Sequence, residues 1–418
     1  MPRPLIQQLP ELHLSPAEVA ARLRHLPGMV FFDTARDAAD GEALSLLAAE
    51  PALVMAGHTE ADWAALRDAV VARQISGVAP DKVPCGFAAG TVDYDGAFCF
   101  GFYDRLLAYG HAESTWVSTG GAYAEWADLL AGKDEVGALL SCGFAPTMPR
   151  ADFLRMVERA QQYIAAGDIY QVNLSHRFTA PWTGDAFAFY TALRCASPAP
   201  HAAFLALNGR AVLSSSPELF LRMSGRHIVT RPIKGTRPRR MDPVADARSA
   251  GELVTSAKEI AELIMITDLE RNDLGQVCDF GSVAVSELLK LERFEQVFHL
   301  VSTVEGRLRP EIDVVTALRA CFPGGSITGA PKKRAMEIIA ELEPEPRGLY
   351  TGALGYFGFN GESQFSIAIR TVVIENGAAH FHVGAGIVAD SQPECEWQET
   401  LDKAAGILSA AEKRAMRG

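Results

Sequence analysis

The sequence predicts a globular chain of mixed helices and strands, and three observations carry that reading. Apolar residues recur at helical spacing in Phe153, Val157, Ala160 and Ile164, and again in Ala335, Ile338, Ile339 and Leu342. Strict alternation runs through residues 169–178. Gly86, Gly90, Tyr94 and Asp95 punctuate a predicted antiparallel pair that closes with Phe98-Cys99-Phe100-Gly101-Phe102-Tyr103.

Composition narrows the class. With 418 residues, 48% hydrophobic and 22% charged, the chain reads as an ordinary soluble protein. A formal charge of −12 argues against nucleic acid as a partner, and an anionic substrate would need local basic groups or a metal. The seven cysteines are an odd number without C-x-x-C spacing, which suits a reducing compartment and structural thiols. Met1-Pro2-Arg3-Pro4 leads into no apolar signal core, and no run of 18 apolar residues exists. A cytoplasmic location away from membranes is therefore expected.

Residues 1–145 are alanine-rich and carry no chemical motif, with helices expected near 16–26 and 60–73 and a strand at Val30-Phe31-Phe32. Two prolines in 143–150 mark a boundary, dividing the chain into 1–145 and 146–418. The helix of Phe153 ends at Gly167. In the strand that follows, Tyr170, Val172, Leu174 and Phe178 share one face, and Gln171, Asn173, Ser175 and Arg177 share the other. That polar face is either solvent-exposed or the floor of a polar cleft.

Glu218 follows Ser214-Ser215-Ser216-Pro217 at a strand start. Next, Arg231-Pro232-Ile233-Lys234-Gly235-Thr236-Arg237-Pro238-Arg239-Arg240 is predicted as a loop, because Pro232 and Pro238 oppose a helix and Gly235 permits a turn. It reads as a solvated basic turn or, if Lys234 is partly desolvated, as the seat of a nucleophile. A helix over roughly 252–270 puts Glu259 and Glu262 on one face, with Lys258 beside them. His299 lies in a predicted strand, Phe294–Ser302, where a satisfied core histidine is the commoner explanation.

Cys321-Phe322-Pro323-Gly324-Gly325-Ser326-Ile327-Thr328-Gly329-Ala330-Pro331 feeds a helix and offers an anion site through its amides. It is not a Walker A loop, since Ala330-Pro331 stands where Lys-Ser/Thr is needed. In 365–371, Arg370 is expected on a small-residue face with Ser366 and Ala368, leaving room for a carboxylate. Gly384 and Gly386 share a strand face, which invites close approach to the backbone. The G-x-G-x-x-A match at 384–389 is rejected as a dinucleotide fingerprint because its glycines lie inside a strand pattern. A final helix, expected to start at Ser391 with Glu394 as a capping box, carries a second i,i+3 pair, Glu396 and Glu399. Two glutamate pairs make a plausible magnesium site, since that hard ion is held by carboxylates and water.

These motifs, in this order, resemble the chorismate-utilising enzymes: Gly167-Asp168-Ile169-Tyr170-Gln171-Val172-Asn173-Leu174-Ser175, Ser216-Pro217-Glu218, Arg231–Thr236, Asp268-Leu269-Glu270-Arg271-Asn272-Asp273, Gly329-Ala330-Pro331-Lys332, Ala368-Ile369-Arg370-Thr371, 384–391 and Glu399-Thr400. The match covers about 150–408, and the N-terminal third is similar only loosely. The resemblance implies an α+β fold like that of anthranilate synthase component I, an α/β/β/α sandwich of two packed, largely antiparallel sheets with residues 1–145 woven into the same body. It implies Glu262 and Glu399 as magnesium ligands, Glu259 and Glu396 acting partly through water, and Glu218 as general acid near His299. Arg370, Tyr350, Ser326 and the amides around Gly384 and Gly386 would hold the substrate, with Arg231, Arg237, Arg239 and Arg240 in support.

Two positions separate the branches. Isochorismate and salicylate synthases carry a water-activating lysine where this chain has Gln171. Anthranilate synthases carry Pro-Ile-Ala-Gly-Thr where this chain has Lys234, and the Pro-Ile-Lys-Gly-Thr string resembles aminodeoxychorismate synthase component I. The Leu-Leu-Glu-Ser string tied to tryptophan feedback is replaced by Val30-Phe31-Phe32-Asp33-Thr34. Ammonia would come from a glutamine amidotransferase subunit, because no glutaminase triad is evident. Departures from the family pattern are Trp397, where tyrosine is usual, and His176, where glutamine is common; neither is expected to touch the chemistry. A non-catalytic chorismate-binding subunit is the reading from another class, and Lys234 speaks against it because binding needs no nucleophile.

Overall fold

The computed structural model describes residues 6–34, 43–75, 82–132, 143–293 and 297–412. Two largely antiparallel sheets, of twelve and ten strands, pack face to face. Val30, Leu46, Leu205 and Val212 of the larger sheet meet Phe87, Tyr103, Leu354 and Tyr356 of the smaller one in a dry inter-sheet core. The outer face of the larger sheet is covered by helices Pro16–Leu23, Ala122–Ala131, Ala186–Ala196 and Pro393–Glu412 through Val19, Trp126, Leu193 and Ile407. Helices Glu60–Ala72 and Val314–Cys321 cover the smaller sheet through Leu66 and Leu318. The α+β, four-layer arrangement is the expected one.

Strands from the first 120 residues lie in both sheets: Val30–Asp33 and Leu44–Ala48 in the larger, Phe87–Val92 and Phe98–Tyr103 in the smaller. Two of the chain's several crossings between the sheets are adjacent. The chain leaves the larger sheet after Ser216 and enters the smaller one at Leu219; it returns between Ile367 and Thr371. Ile367 N donates to Glu218 O at 3.1 Å, so the two crossovers run side by side.

Several local expectations change. Helix 252–270 is two helices, Pro243–Val254 and Ala257–Gly275, because the Ser256 side chain accepts from Glu259 N and restarts the chain. The predicted loop around Lys234 is an edge strand, Ile233–Pro238, paired only with Val297–Arg307. Pro232 is tolerated at the junction with strand His227–Arg231, since Ser302 N donates to its carbonyl. The last helix begins at Pro393, and no Ser391–Glu394 box forms: Ser391 Oγ donates to Glu396 at 2.7 Å, while Glu394 pairs with Arg150. Residues Phe294–Gln296 of the predicted histidine strand, Cys142 and Met1–Pro4 lie outside the described residues. The six described cysteines are free thiols. No helix among the described residues is long and apolar enough to cross a membrane.

Candidate active site

The site forms where the crossovers, the strand Gln171–Pro181, the strand Ala378–Ile387 and two glutamate-bearing helices converge. Gln171–Pro181 pairs antiparallel with Ala378–Ile387, placing Asn173 opposite Gly386 and Ser175 opposite Gly384. The polar face of this strand is the floor of a cleft, not a solvated surface: Gln171 is buried, whereas Tyr170, expected with the apolar set, is 73% exposed. Arg347, fully inside, donates to Asn173 O at 2.7 Å and to Glu343, which in turn accepts from Ser175 N and Oγ. These buried charges hold the floor's backbone in place because each is hydrogen-bonded on both sides.

The two strand glycines are required by what lies over them. A Cβ on Gly386 would stand 2.4 Å from Gln171 Nε2 and 3.2 Å from Lys234 Nζ. A Cβ on Gly384 would stand 2.7 Å from the Tyr350 hydroxyl. Tyr350 hydrogen-bonds to Asn173 and stacks on His382 at 5.3 Å, and burial pushes its phenol up to about 12, so it stays a neutral hydroxyl.

Lys234 reaches this cleft from the opposite sheet. Gly235, with φ +71°, makes the bulge between Lys234 and Thr236, and a side chain there would strike Leu253 at 2.5 Å. Lys234 Nζ lies 3.3 Å from Glu262 Oε2. Next along the sheet, His299 is buried opposite Thr236, whose hydroxyl is 3.0 Å from its Nδ1. The structure therefore places His299 at the site's edge with a polar partner.

Glu218 lies on the first crossover and is buried. Burial raises its carboxyl above the ordinary range, against a hydrogen bond from Ser326, the charge of Lys234, the Ile233 N–H and the charge of Lys403. A buried acid with its affinity for a proton raised by burial, set beside two lysines, has the makings of a proton donor. Arg370 lies on the second crossover, with φ +49° and its carbonyl accepting from Ser215 N. The face expected for it with Ser366 and Ala368 does not form, because the strand stops at Ile367 and the chain changes sheet.

All four glutamates come together from two helices. Glu262 and Glu396 are buried, and each keeps one carboxylate oxygen, Oε1 and Oε2 respectively, without a hydrogen-bond partner. Lys258 bonds to Glu396 at 3.4 Å rather than to its helix neighbour Glu262. Glu259 is raised by burial and by Glu262, partly offset by Arg237 at 3.6 Å and by Lys234. Glu399 is partly exposed; burial pushes its carboxyl up, but Lys403, at 2.7 Å, with Lys234 and Lys258 pulls it below the usual range. No three acidic, histidine or cysteine side chains among the described residues are drawn into a ready cation cage. The orphaned, buried oxygens of Glu262 and Glu396 are what a hard cation would satisfy.

The reading of the supporting arginines is corrected. Arg231 pairs with Glu292 and lines a separate inter-sheet cavity of about 110 Å³, and Arg239 is held by Asp246 at 2.9 Å, so neither faces Lys234. Arg240 is exposed, leaving Arg237 as the one member of the set turned to the glutamates. In the glycine-rich loop the Gly325 amide is already engaged, since Gly325 N donates to Glu270 at 3.0 Å. His176 and Trp397, the two departures from the family pattern, stack on each other at 4.7 Å, and His176 Nε2 lies 2.9 Å from Thr400 Oγ1. Lys403 was missed altogether; it donates to Gly384 O at 2.8 Å, and its i,i+4 spacing from Glu399 was the available signal.

Two packed sheets with an acid, a lysine and four glutamates gathered at their crossovers define a class, and comparison with known proteins identifies it. Residues 33–409 match the model of the chorismate binding enzyme family, and the chain belongs to that family. It is 48% identical over 272 residues to anthranilate synthase component 1 of Streptomyces coelicolor, covering 65% of this chain and 53% of that protein. It is equally 48% identical over 274 residues to aminodeoxychorismate synthase component 1 of Escherichia coli, covering 66% of this chain and 60% of that protein. The chain thus spans little more than half the length of these relatives. The crystal structure of anthranilate synthase component I from Streptococcus pneumoniae superposes with a TM-score of 0.80 at 30% identity, over 89% of this chain and 93% of that one.

Proposed function

We propose that the protein aminates chorismate to 4-amino-4-deoxychorismate, as the synthase component that takes ammonia from a glutamine amidotransferase subunit and serves 4-aminobenzoate and folate formation. The observation that carries this reading is the position of Lys234 Nζ, over Gly386 and beside Gln171. A relative of the anthranilate branch would carry alanine there, and a water-activating relative a lysine at Gln171.

The chemistry follows from this placement. The 4-hydroxyl of chorismate is a poor leaving group, so one hard displacement is divided into two allylic ones. Lys234 attacks as the free amine, which requires its ion pair with Glu262 to open. Its nitrogen bonds to ring carbon 2, the double bonds shift, and the carbon 4–oxygen bond breaks as Glu218 delivers a proton, releasing water. The adduct nitrogen gives up a proton, which restores Glu218. Ammonia then bonds to carbon 4, the double bonds shift back, and the carbon 2–nitrogen bond to Lys234 breaks as the proton shed by the new ammonium passes to the leaving lysine nitrogen, which departs as the free amine. Gln171 supplies an amide that orients without activating water, and Tyr350, Arg370 and the backbone at Gly384 and Gly386 receive the enolpyruvyl carboxylate, with Ser326 and His299 flanking the departing hydroxyl.

Glu262 and Glu399, with Glu259 and Glu396 acting partly through water, would hold a magnesium ion. Bound there, it would neutralise the ring carboxylate and draw electron density as the double bonds move.

Anthranilate synthesis is the rival, favoured by the equal identity to that branch. Protein supplied with chorismate, magnesium, ammonium salt and an aminodeoxychorismate lyase is expected to yield 4-aminobenzoate. Fluorescent anthranilate formed without the lyase would overturn the proposal.

A further inference from the structure

Glu270 is a buried acid that the proposed reaction does not use. It sits on helix Ala257–Gly275, two turns beyond Glu262, and is 3% exposed. Both of its oxygens are engaged: Oε1 accepts from Gly325 N at 3.0 Å and Oε2 from the Thr230 hydroxyl at 3.2 Å. Gly325 precedes Ser326, whose side chain hydrogen-bonds to Glu218. Room for this contact depends on the glycine, because a Cβ at 325 would stand 2.7 Å from Leu269 and 3.3 Å from Glu270 Oε1. The same loop is tied down a second time, by Lys332, which donates to Pro323 O and Cys321 O and pairs with Asp273 at 2.6 Å.

We propose that Glu270 is a positioning residue for the reaction: it fixes the Gly325–Ser326 backbone behind Glu218, and its negative charge keeps the proton on Glu218. This rests on the reading of Glu218 as the general acid. Two carboxyls in one water-poor space do not both ionise readily, so they titrate as a pair. The charges facing Glu270 are Asp273, Lys332 and Glu218, and those facing Glu218 are Lys234 and Lys403. Burial, Asp273 and Glu218 raise Glu270 to about 7, against Lys332 and the Gly325 amide.

The test is the pH dependence of kcat/KM in three variants of the full chain, each checked for an unchanged circular dichroism spectrum. Glu270→Gln removes the charge and keeps one acceptor: its amide oxygen can accept from Gly325 N while its NH2 donates to the Thr230 hydroxyl. Its alkaline limb, where Glu218 loses its proton, is expected to move down by about one pH unit with the KM for chorismate unchanged. Glu270→Met, which also frees the Gly325 amide, should show the same shift with an added fall in kcat, and it stands in if the glutamine variant does not fold. A wild-type limb in both variants would overturn the proposal. Glu218→Gln separates the two ideas: loss of the limb in that variant supports the acid assignment, so an unmoved limb at Glu270 then counts against the positioning role alone. A limb that survives Glu218→Gln would overturn the acid itself.

Discussion

Lys234 and Glu262 face each other at 3.3 Å, the lysine from an edge strand of the smaller sheet and the glutamate from a helix laid against it. The pair joins the two halves of the site, since the same glutamate carries an unpartnered oxygen toward the acidic cluster. It also couples them, because Glu262 cannot neutralise a lysine and a cation with equal effect.

Removing a neighbouring carboxylate of the acidic cluster has a measurable sign. Glu396→Gln discards a buried charge whose Oε2 has no partner and leaves Oε1 able to accept from Ser391. Magnesium affinity, read by titration calorimetry, should fall by about 10–100-fold. The melting temperature without magnesium should change little, because the lost pairing with half-exposed Lys258 offsets the relief of a buried charge that has one unpartnered oxygen. Unchanged affinity would remove Glu396 from the metal site.

The close approach over Gly386 gives a second outcome. The glycine lies in a strand without a left-handed φ, so Gly386→Ala leaves the backbone unstrained and acts through its methyl alone. That methyl would displace Gln171 and crowd Lys234. Activity should fall about a hundredfold, as expected for misplacement of a reacting group by about 1 Å, with the melting temperature little altered. Full activity would place the substrate elsewhere.

Much of this arrangement was legible in the sequence, and the gaps have physical causes. The period-two pattern of 171–178 and the i,i+3 glutamates depend on local geometry, which sequence spacing encodes. Lys234 was read into a loop because two prolines oppose regular structure, yet an edge strand needs no donor on its outer side. Arg370 was given a strand face because alternation assumes one continuous sheet, whereas the chain changes sheet just before it. Glu270 stands in the Asp268–Asp273 motif, which by itself assigns it no role. Its burial comes from Gly325, 55 residues away.

The buried imidazoles set an acid limit on stability. Burial holds His176 and His380 down to about 4, and the Arg177 and Arg210 charges add to the effect at His380. An unfolded histidine titrates near 6.5, so the folded values are depressed. Their stabilisation is complete above about pH 6.5 and drains away as pH falls toward 4, at up to about 1.4 kcal/mol per pH unit for each group. Denaturant unfolding across that range should be less steeply pH-dependent in His176→Gln than in the parent. An equal slope would mean His176 is charged in the folded protein.

The central claim is that Lys234 forms a bond to the ring. Intact-mass spectrometry of the protein incubated with chorismate and magnesium, with ammonia withheld, tests it most directly. The account predicts an adduct of chorismate less one water on the parent chain and none on Lys234→Ala. An adduct that persists in Lys234→Ala would contradict it.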